Sequence, residues 1–261
     1  MFQSGLVSIS FRELSPEEIV GLAKDAGLDG IEWGGDVHVP HGDIACATRV
    51  QKLTEDAGLC VAAYGSYYRV GCEPLYGKPP TFEQVLETAL TLRTKTIRVW
   101  SGHRGSAECD EAWWETVADE ARRVADLAGE AGIAIGFEFH GGTLTDTTDS
   151  ACRLLEMVDH KNVGTYWQTG LDLSEEERYE SLERMLPWLR NLHVFHWEGF
   201  VRKPLEEAAT AWRRYFARAA STGRDHFALL EFVEDDDPKN LLRDAATLKA
   251  LLLDKTVERD E

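Results

Sequence analysis

Basic residues are scarce in this sequence. Lys and Arg together number 28 against 46 Asp and Glu, which gives a formal net charge of -18. Nucleic-acid binding depends on Lys and Arg that neutralise phosphates, so this balance argues against a nucleic-acid partner. Apolar runs are also short, because none approaches the roughly 20 apolar residues that a transmembrane helix needs. The sequence therefore predicts neither a nucleic-acid partner nor a membrane partner.

Cysteines are few, and their spacing suits no metal or disulfide motif. The five form no C-x-x-C pair, and they are an odd number. We interpret them as reduced, mostly structural thiols. The first residues also lack a basic segment followed by an apolar stretch and a small-residue cleavage site. We therefore expect a cytoplasmic protein.

What the sequence does contain is a regular alternation of short β-rich runs and amphipathic segments. The chain has 261 residues, a length that (β/α)8 barrels commonly use as one domain. The alternation predicts eight βα units around a parallel sheet. We expect strands at Leu6–Phe11, Gly30–Trp33, Cys60–Tyr64, Thr96–Trp100, Ala134–Phe139, Val163–Trp167, Leu192–His196 and Phe227–Phe232.

The choice between an open and a closed sheet depends on the first strand–helix turn. A doubly wound sheet that binds a dinucleotide has a glycine-rich turn there, whereas this chain has Ser10-Phe11-Arg12-Glu13. The predicted fold class is therefore α/β, a single (β/α)8 TIM barrel over residues 1–261. In such a barrel the loops after the strands form the catalytic face.

The fifth predicted strand places a carboxylate at the mouth of the barrel. Small and bulky residues alternate there with period two, so Gly136, Glu138 and His140 share one face, which we assign to the interior. The bulky residues between them would pack under the outer helices. An inward charge at this position is costly without a partner.

The next three strand ends supply further groups that could bind a metal. Glu231 ends the apolar eighth strand, Gln168 follows the sixth, and the seventh contains His193 and His196. A spacing of three places the two histidines on opposite faces of a regular strand, so we expect one ligand from that strand, His193. The predicted metal ligands are thus Glu138, Gln168, His193 and Glu231. Carboxylate, imidazole and amide donors suit Mn²⁺, Mg²⁺, Co²⁺ or Zn²⁺.

Aromatic and polar side chains crowd the same rim. Aromatic walls with sparse polar groups suit a carbohydrate-like small molecule. We expect His140 and His196 to contact the substrate or to support the metal ligands. The other predicted substrate contacts are Glu32, Trp33, Tyr64, Arg98 and Trp100.

Four segments carry a family resemblance: Gly30-Ile31-Glu32-Trp33, residues 138–147 (EFHGGTLTDT), Leu192-His193-Val194 and Leu230-Glu231-Phe232. They resemble the xylose isomerase-like TIM-barrel superfamily of sugar phosphate isomerases and epimerases over nearly the whole chain. In its ketose 3-epimerases, Glu, Asp, His and Glu from strands five to eight hold a divalent metal. The resemblance implies the same role for Glu138, His193 and Glu231. Gln168 and Leu171 depart from the strand-six pattern D-T-G-H.

Three functions follow from these residues and from the resemblance. The leading hypothesis is a metal-dependent isomerase or epimerase of a ketose, keto-sugar or cyclic polyol derivative, with Glu138 and Glu231 as the catalytic acid and base. The second is a lyase or dehydratase that expels a β-substituent from the same enolate, with His140 or His196 as the acid. The third is a noncatalytic sugar-binding barrel. Similar barrels are commonly dimers or tetramers, so a homo-oligomer is compatible with the resemblance.

Overall fold

A computed structural model gives the architecture, and it describes residues 1–72 and 80–254. Eight parallel strands form a closed barrel in the order β1-β10-β7-β6-β5-β4-β3-β2. This order confirms the predicted TIM-barrel fold class, whereas the assignment of residues 1–261 to one domain stays a prediction. The barrel strands are β1 (Phe2–Val7), β2 (Gly30–Gly34), β3 (Cys60–Val70), β4 (Thr96–Ser101), β5 (Ala134–Phe137), β6 (Val163–Trp167), β7 (Leu189–Val194) and β10 (His226–Leu230). Between β7 and β10, β8 (His196–Glu198) and β9 (Val201–Lys203) pair as an antiparallel hairpin.

The helices begin at the capping residues that the sequence offers. Ser15 and Glu18 form a reciprocal capping box at the first helix, and Ser174 and Glu177 form another at the sixth. No helix of the described residues is long and apolar enough to cross a membrane. The helices are α1 (Pro16–Asp25), α2 (Ile44–Asp56), α3 (Phe82–Thr91), α4 (Glu111–Glu130), α5 (Thr148–Val158), α6 (Glu175–Met185), α7 (Ala209–Ala220) and α8 (Pro238–Leu253).

The described chain divides into two compact units, the first of which contains residues 1–32, 53–60 and those from Trp167 onward. In this unit β10 pairs with both β1 and β7. Trp167, at the end of β6, packs edge-on against Trp212 and Tyr215 of α7. Side chains alternate along a strand, so this outward packing leaves the next residue, Gln168, for the opposite face.

The second unit contains residues 33–52 and 61–166, with β4 pairing on β3 and β5, and β5 pairing on β6. Its core includes the fully buried Phe137 and Tyr166. A Cβ atom on Gly136 would lie 2.7 Å from the ring of Tyr166. Gly136 is therefore required because the neighbouring strand fills that space with an aromatic ring.

Three of the predicted strands are clearly wrong in extent. The third strand runs over Cys60–Val70 rather than Cys60–Tyr64. The first is Phe2–Val7 rather than Leu6–Phe11, and residues Ser8–Phe11 form a 3-10 turn. The first strand begins with polar residues, so its start does not show the apolar pattern of a buried strand. Ser4 is nevertheless buried, because its hydroxyl donates a hydrogen bond to Asp29 at 2.8 Å. The seventh strand ends at Val194, and His196 begins the β8–β9 hairpin.

Candidate active site

Glu138 directly follows β5, and two neighbouring side chains hold its carboxylate. Oε2 of Glu138 accepts hydrogen bonds from Arg98 and from Nε1 of Trp100. Arg98 lies on β4 opposite Gly136, so the adjacent strand delivers the guanidinium. The side chains of Arg98 and Glu138 are only 1% and 5% exposed. This ion pair compensates the inward charge that the sequence predicts at the end of β5.

Buried threonine hydroxyls fix the loop that carries Glu138 and His140. Thr145 donates its hydroxyl to the backbone carbonyl of Glu138 at 2.6 Å, and Thr143 donates to the carbonyl of His140 at 2.7 Å. Oγ of Ser101 lies 2.9 Å from Oγ1 of Thr145 and ties the loop to β4. The conformation of the segment EFHGGTLT is therefore fixed, because its threonine hydroxyls donate hydrogen bonds to backbone carbonyl groups of the same segment.

His140 stacks on the indole of Trp100. Their ring centroids are 4.4 Å apart and the ring planes are inclined by 28°. Nδ1 of His140 lies 2.7 Å from the carbonyl oxygen of Gly141. Since a carbonyl can only accept, the neutral imidazole carries its hydrogen on Nδ1 and presents Nε2 as a proton acceptor. The loop thus sets both the orientation and the tautomer of this histidine.

His193 on β7 lies among three oxygen-bearing side chains. Its Nδ1 atom is 3.0 Å from Oε1 of Gln168 and 3.2 Å from Oε2 of Glu231. Its Nε2 atom is 3.6 Å from Oε1 of Glu32, and both of these side chains are 0% exposed. Glu231 follows β10, and its amide donates to the carbonyl of Val194 at 3.1 Å. The strand ends therefore bring the predicted ligands of β7 and β10 together.

The charge balance around His193 favours a cation. Burial lowers the pKa of His193, but the carboxylates of Glu231 and Glu32 outweigh burial and raise that pKa to about 10. A histidine that binds a metal does so in its neutral form. A divalent ion bound here would replace the proton of His193 as the charge that compensates the carboxylates.

One group of side chains in the described residues joins Glu138 with His193 and Glu231. One ligand atom from each lies within 4.8 Å of the others, and all three residues are buried. Two carboxylates and an imidazole, with no thiolate, are the donor set of catalytic Mn²⁺, Mg²⁺, Co²⁺ or Zn²⁺ sites. These residues therefore fit a divalent metal.

Gln168 contacts this group through His193. The 3.0 Å separation of its Oε1 atom from Nδ1 of His193 places an amide oxygen beside the imidazole. The side chain is half-buried, in contrast to the fully buried Trp167 that precedes it. The structure thus brings Gln168 to the predicted ligands, and its role as a metal ligand stays a prediction.

Three predicted substrate contacts are engaged elsewhere in this structure. Trp33 is fully buried and packs edge-on against His38, with ring centroids 5.9 Å apart. Tyr64 is also fully buried, and its hydroxyl donates to the carbonyl of Val39 at 2.9 Å. His196 lies in the β8–β9 hairpin, in a second His/Glu group with Glu198 and Glu207. Their assignment to substrate stays a prediction.

Sequence reasoning missed the partners of the predicted ligands. In the structure Arg98 and Trp100 bond to Glu138, and Glu32 lies beside His193. The predicted substrate contacts of these three residues stay a prediction. One usable signal was the position of Arg98, inside an apolar strand where an unpaired charge would be costly. The contact of Glu32 with His193 has no comparable local signal.

A comparison with known families identifies the class of protein that has this fold. The sequence profile of the xylose isomerase-like TIM barrel family matches residues 20–251. The chain belongs to this family, as the resemblance in the sequence implied.

Two dehydratases are among its named relatives. The chain is 27% identical to a 3-dehydroshikimate dehydratase of Bacillus anthracis over 199 residues, which cover 72% of this chain and 69% of the relative. It is 34% identical to an inosose dehydratase of Geobacillus thermodenitrificans over 85 residues, which cover 32% of this chain but only 28% of that relative.

Solved structures show the same fold. The probable 3-DHS dehydratase of petrobactin synthesis from Bacillus anthracis superposes with a TM-score of 0.75 at 22% identity, over 95% of this chain and 99% of the other. L-ribulose 3-epimerase superposes with a TM-score of 0.71 at 16% identity, over 97% and 95% of the two chains. Dehydratases and epimerases thus share this fold, and the reaction must be argued from the site.

Proposed function

We propose that the protein is a metal-dependent lyase that removes water from a cyclic hydroxy ketone. The observation that carries this proposal is the state of His140, whose Nδ1 atom is held by the carbonyl of Gly141 at 2.7 Å while Nε2 is a proton acceptor. The named dehydratase relatives support the same reaction class. This proposal favours the second of the three sequence-based hypotheses over the first.

The metal would be held by Glu138, His193 and Glu231, with Gln168 beside them. A bound divalent ion would act as a Lewis acid on a ketone oxygen, which makes hydrogens on the neighbouring carbon more acidic. The chain's own part is to hold the donor atoms rigidly. Arg98 and Trp100 do this for Glu138, and Glu32 lies where it can orient the imidazole of His193.

His140 would move the proton. Its Nε2 atom takes a proton from the carbon next to the carbonyl, the C–H electrons form the new double bond, and the C–O bond of the β-hydroxyl breaks. The imidazolium of His140 then gives the proton to the departing hydroxyl, which leaves as water. Stacking on Trp100 at 4.4 Å keeps the imidazole in one plane through both transfers.

The isomerase or epimerase hypothesis is the second candidate. It is supported by Glu138 and Glu231 in one buried group, since two carboxylates on opposite faces of a carbon could exchange a proton. One oxygen of Glu138, however, already accepts hydrogen bonds from Arg98 and Trp100. Because these two hydrogen bonds hold its carboxylate in place, Glu138 is better suited to bind a metal than to carry a proton. An epimerase would need Glu138 to carry a proton, so these bonds favour the lyase.

The mass of the product separates the two reactions. Metal-loaded protein is incubated in deuterated water with a panel of cyclic hydroxy ketones and open-chain ketoses. The lyase predicts a product lighter by one water, formed only from a cyclic hydroxy ketone and abolished by a chelator. A product of the same composition that has gained deuterium would instead identify an isomerase or epimerase. Binding with neither change would support the noncatalytic barrel.

A further inference from the structure

Arg69, near the end of β3, makes one guanidinium hydrogen bond among the described residues. Its Cζ atom lies 4.2 Å from the centre of the Trp100 ring, and Nη1 donates to the carbonyl of Gly102 at 3.1 Å. Arginine has five N–H donors, so the described part of the chain leaves most of the guanidinium donors of Arg69 without an acceptor. Within residues 1–72 and 80–254, Arg69 has no carboxylate partner.

The state of Arg69 contrasts with that of other arginines in this acidic chain, whose net charge is -18. Arg98 pairs with Glu138 inside the barrel, and many surface arginines pair with carboxylates. Examples are Arg123 with Glu83 and Glu120, Arg153 with Glu111, Arg214 with Glu176 and Arg218 with Glu183. No carboxylate of residues 1–72 and 80–254 compensates the charge of the half-buried Arg69, and a bound anion could do so.

A bulge in β3 places Arg69 in this position. The register with β4 shifts between Gly65 and Arg69, after which Arg69 lies opposite Trp100. Tyr67 within the bulge has a φ of 55°, a left-handed conformation that is strained for a residue other than glycine. Bulges of this kind re-aim side chains beside active sites. The strained backbone thus directs Arg69 onto the indole instead of continuing the regular strand.

Trp100 links Arg69 to the proposed proton carrier. The same indole that lies under Arg69 stacks on His140 at 4.4 Å and donates its Nε1 hydrogen to Glu138. Arg69 and His140 therefore both contact the ring of Trp100, which brings an arginine and the proposed proton carrier to one indole.

We propose that Arg69 binds a carboxylate on the substrate, so that the cyclic hydroxy ketone is an anion. This inference rests on the proposed function and specifies its substrate class. The planar fork of arginine matches a carboxylate in a bidentate arrangement. A single guanidinium also matches a single negative charge better than a phosphate dianion. Arg98, whose Cζ atom lies 4.9 Å from the ring centre of Tyr67, already pairs with Glu138.

The test measures binding by calorimetry with metal-loaded protein that carries His140→Gln, so that the ligands are bound but not converted. Loss of water is assayed separately with His140 in place. The ligands are 3-dehydroshikimate, which carries a carboxylate, inosose, which is neutral, and a phosphorylated cyclic ketone. The variants are Arg69→Gln and Arg69→Lys. Arg104→Gln is the matched control, because Arg104 is an exposed arginine on the loop after β4 that lies over Trp113 at 4.3 Å.

Arg69→Gln is expected to weaken binding of the carboxylated ketone by about 10- to 100-fold, with an intermediate loss in Arg69→Lys. Binding of inosose and the effect of Arg104→Gln should stay within about twofold of the His140→Gln protein. Equal losses in Arg69→Gln and Arg104→Gln would overturn the proposal in favour of a general field effect. Equal losses for carboxylated and neutral ketones, or tighter binding of the phosphorylated one, would also overturn it. Carboxylate-dependent binding without loss of water would support Arg69 and refute the lyase.

Discussion

Arg98 and Glu138 form a buried ion pair, with side chains that are 1% and 5% exposed. Breaking such a pair from one side leaves an uncompensated charge, whereas removing both charges is much less costly. Arg98→Leu should therefore lower the free energy of unfolding by about 3 kcal/mol. The double variant Arg98→Leu/Glu138→Leu should recover most of that loss. Denaturant unfolding of the metal-free protein measures both, and a double variant as unstable as the sum of the single variants would contradict the pairing.

His140 is expected to be essential for turnover and dispensable for the metal. His140→Gln removes the proton acceptor while keeping a polar side chain of similar length, so the dehydration rate should fall by about 100-fold or more. Metal content should stay at the wild-type level. His160→Gln is the control, because His160 pairs with Asp126 at 3.2 Å outside the group around Glu138. Unchanged turnover in His140→Gln would remove His140 from the mechanism.

Gln168 provides a graded test of the ligand set. Its oxygen lies 3.0 Å from His193, so Gln168→Ala should weaken metal binding about 10-fold or more if that oxygen coordinates or orients a ligand. Gln168→Asp should tighten binding, since it adds a carboxylate donor. Calorimetric titration with Mn²⁺ measures both affinities. If neither affinity changes, Gln168 has no part in the metal site.

The sequence predicts the ligand positions because each strand end has a local signature. The period-two alternation around Gly136 and Glu138 identifies the inner face of β5, and the apolar run that ends in Glu231 does so for the last strand. In a parallel barrel the carboxyl ends of all strands meet at one mouth. The residue type and its place at a strand end therefore suffice to group Glu138 with Glu231. The order of the strands along the chain and the barrel fold together predict which side chains lie close to one another.

The partners of those ligands depend on information that a local pattern does not contain. The bond between Arg98 and Glu138 requires the register of β4 on β5, which pairs Arg98 with Gly136. The position of Arg69 depends on a bulge at Tyr67, where a residue with no special turn propensity takes a positive φ. Tertiary packing imposes both features, so they become visible only in the structure.

Acid stability provides a test away from the active site. His226 at the start of β10 is 2% exposed, with Nδ1 2.6 Å from the carbonyl of Arg190 and Nε2 2.8 Å from the hydroxyl of Thr222. Burial lowers the pKa of His226 below its usual 6.5. The unfolded chain therefore takes up a proton first, and stability falls as pH drops below 6.5 toward the folded pKa, by at most about 1.4 kcal/mol per pH unit.

His226→Gln should make this decline shallower, because it removes the group whose protonation favours unfolding. Urea midpoints from pH 8 to pH 5 measure the slope for both proteins. The variant is expected to be less stable than the wild type at pH 8, since a buried imidazole is replaced, but to lose less on acidification. Parallel pH profiles would show that His226 does not contribute to acid sensitivity.

The most direct test of the account is whether Glu138, His193 and Glu231 hold one divalent ion. Metal content per chain is measured by mass spectrometry after loading and gel filtration, for the wild type, His193→Ala, Glu231→Gln and the control His196→Ala from the second His/Glu group. The account predicts about one ion in the wild type and in His196→Ala, with loss of the ion in the other two. Equal metal content in all four proteins, or no metal in any, would contradict it.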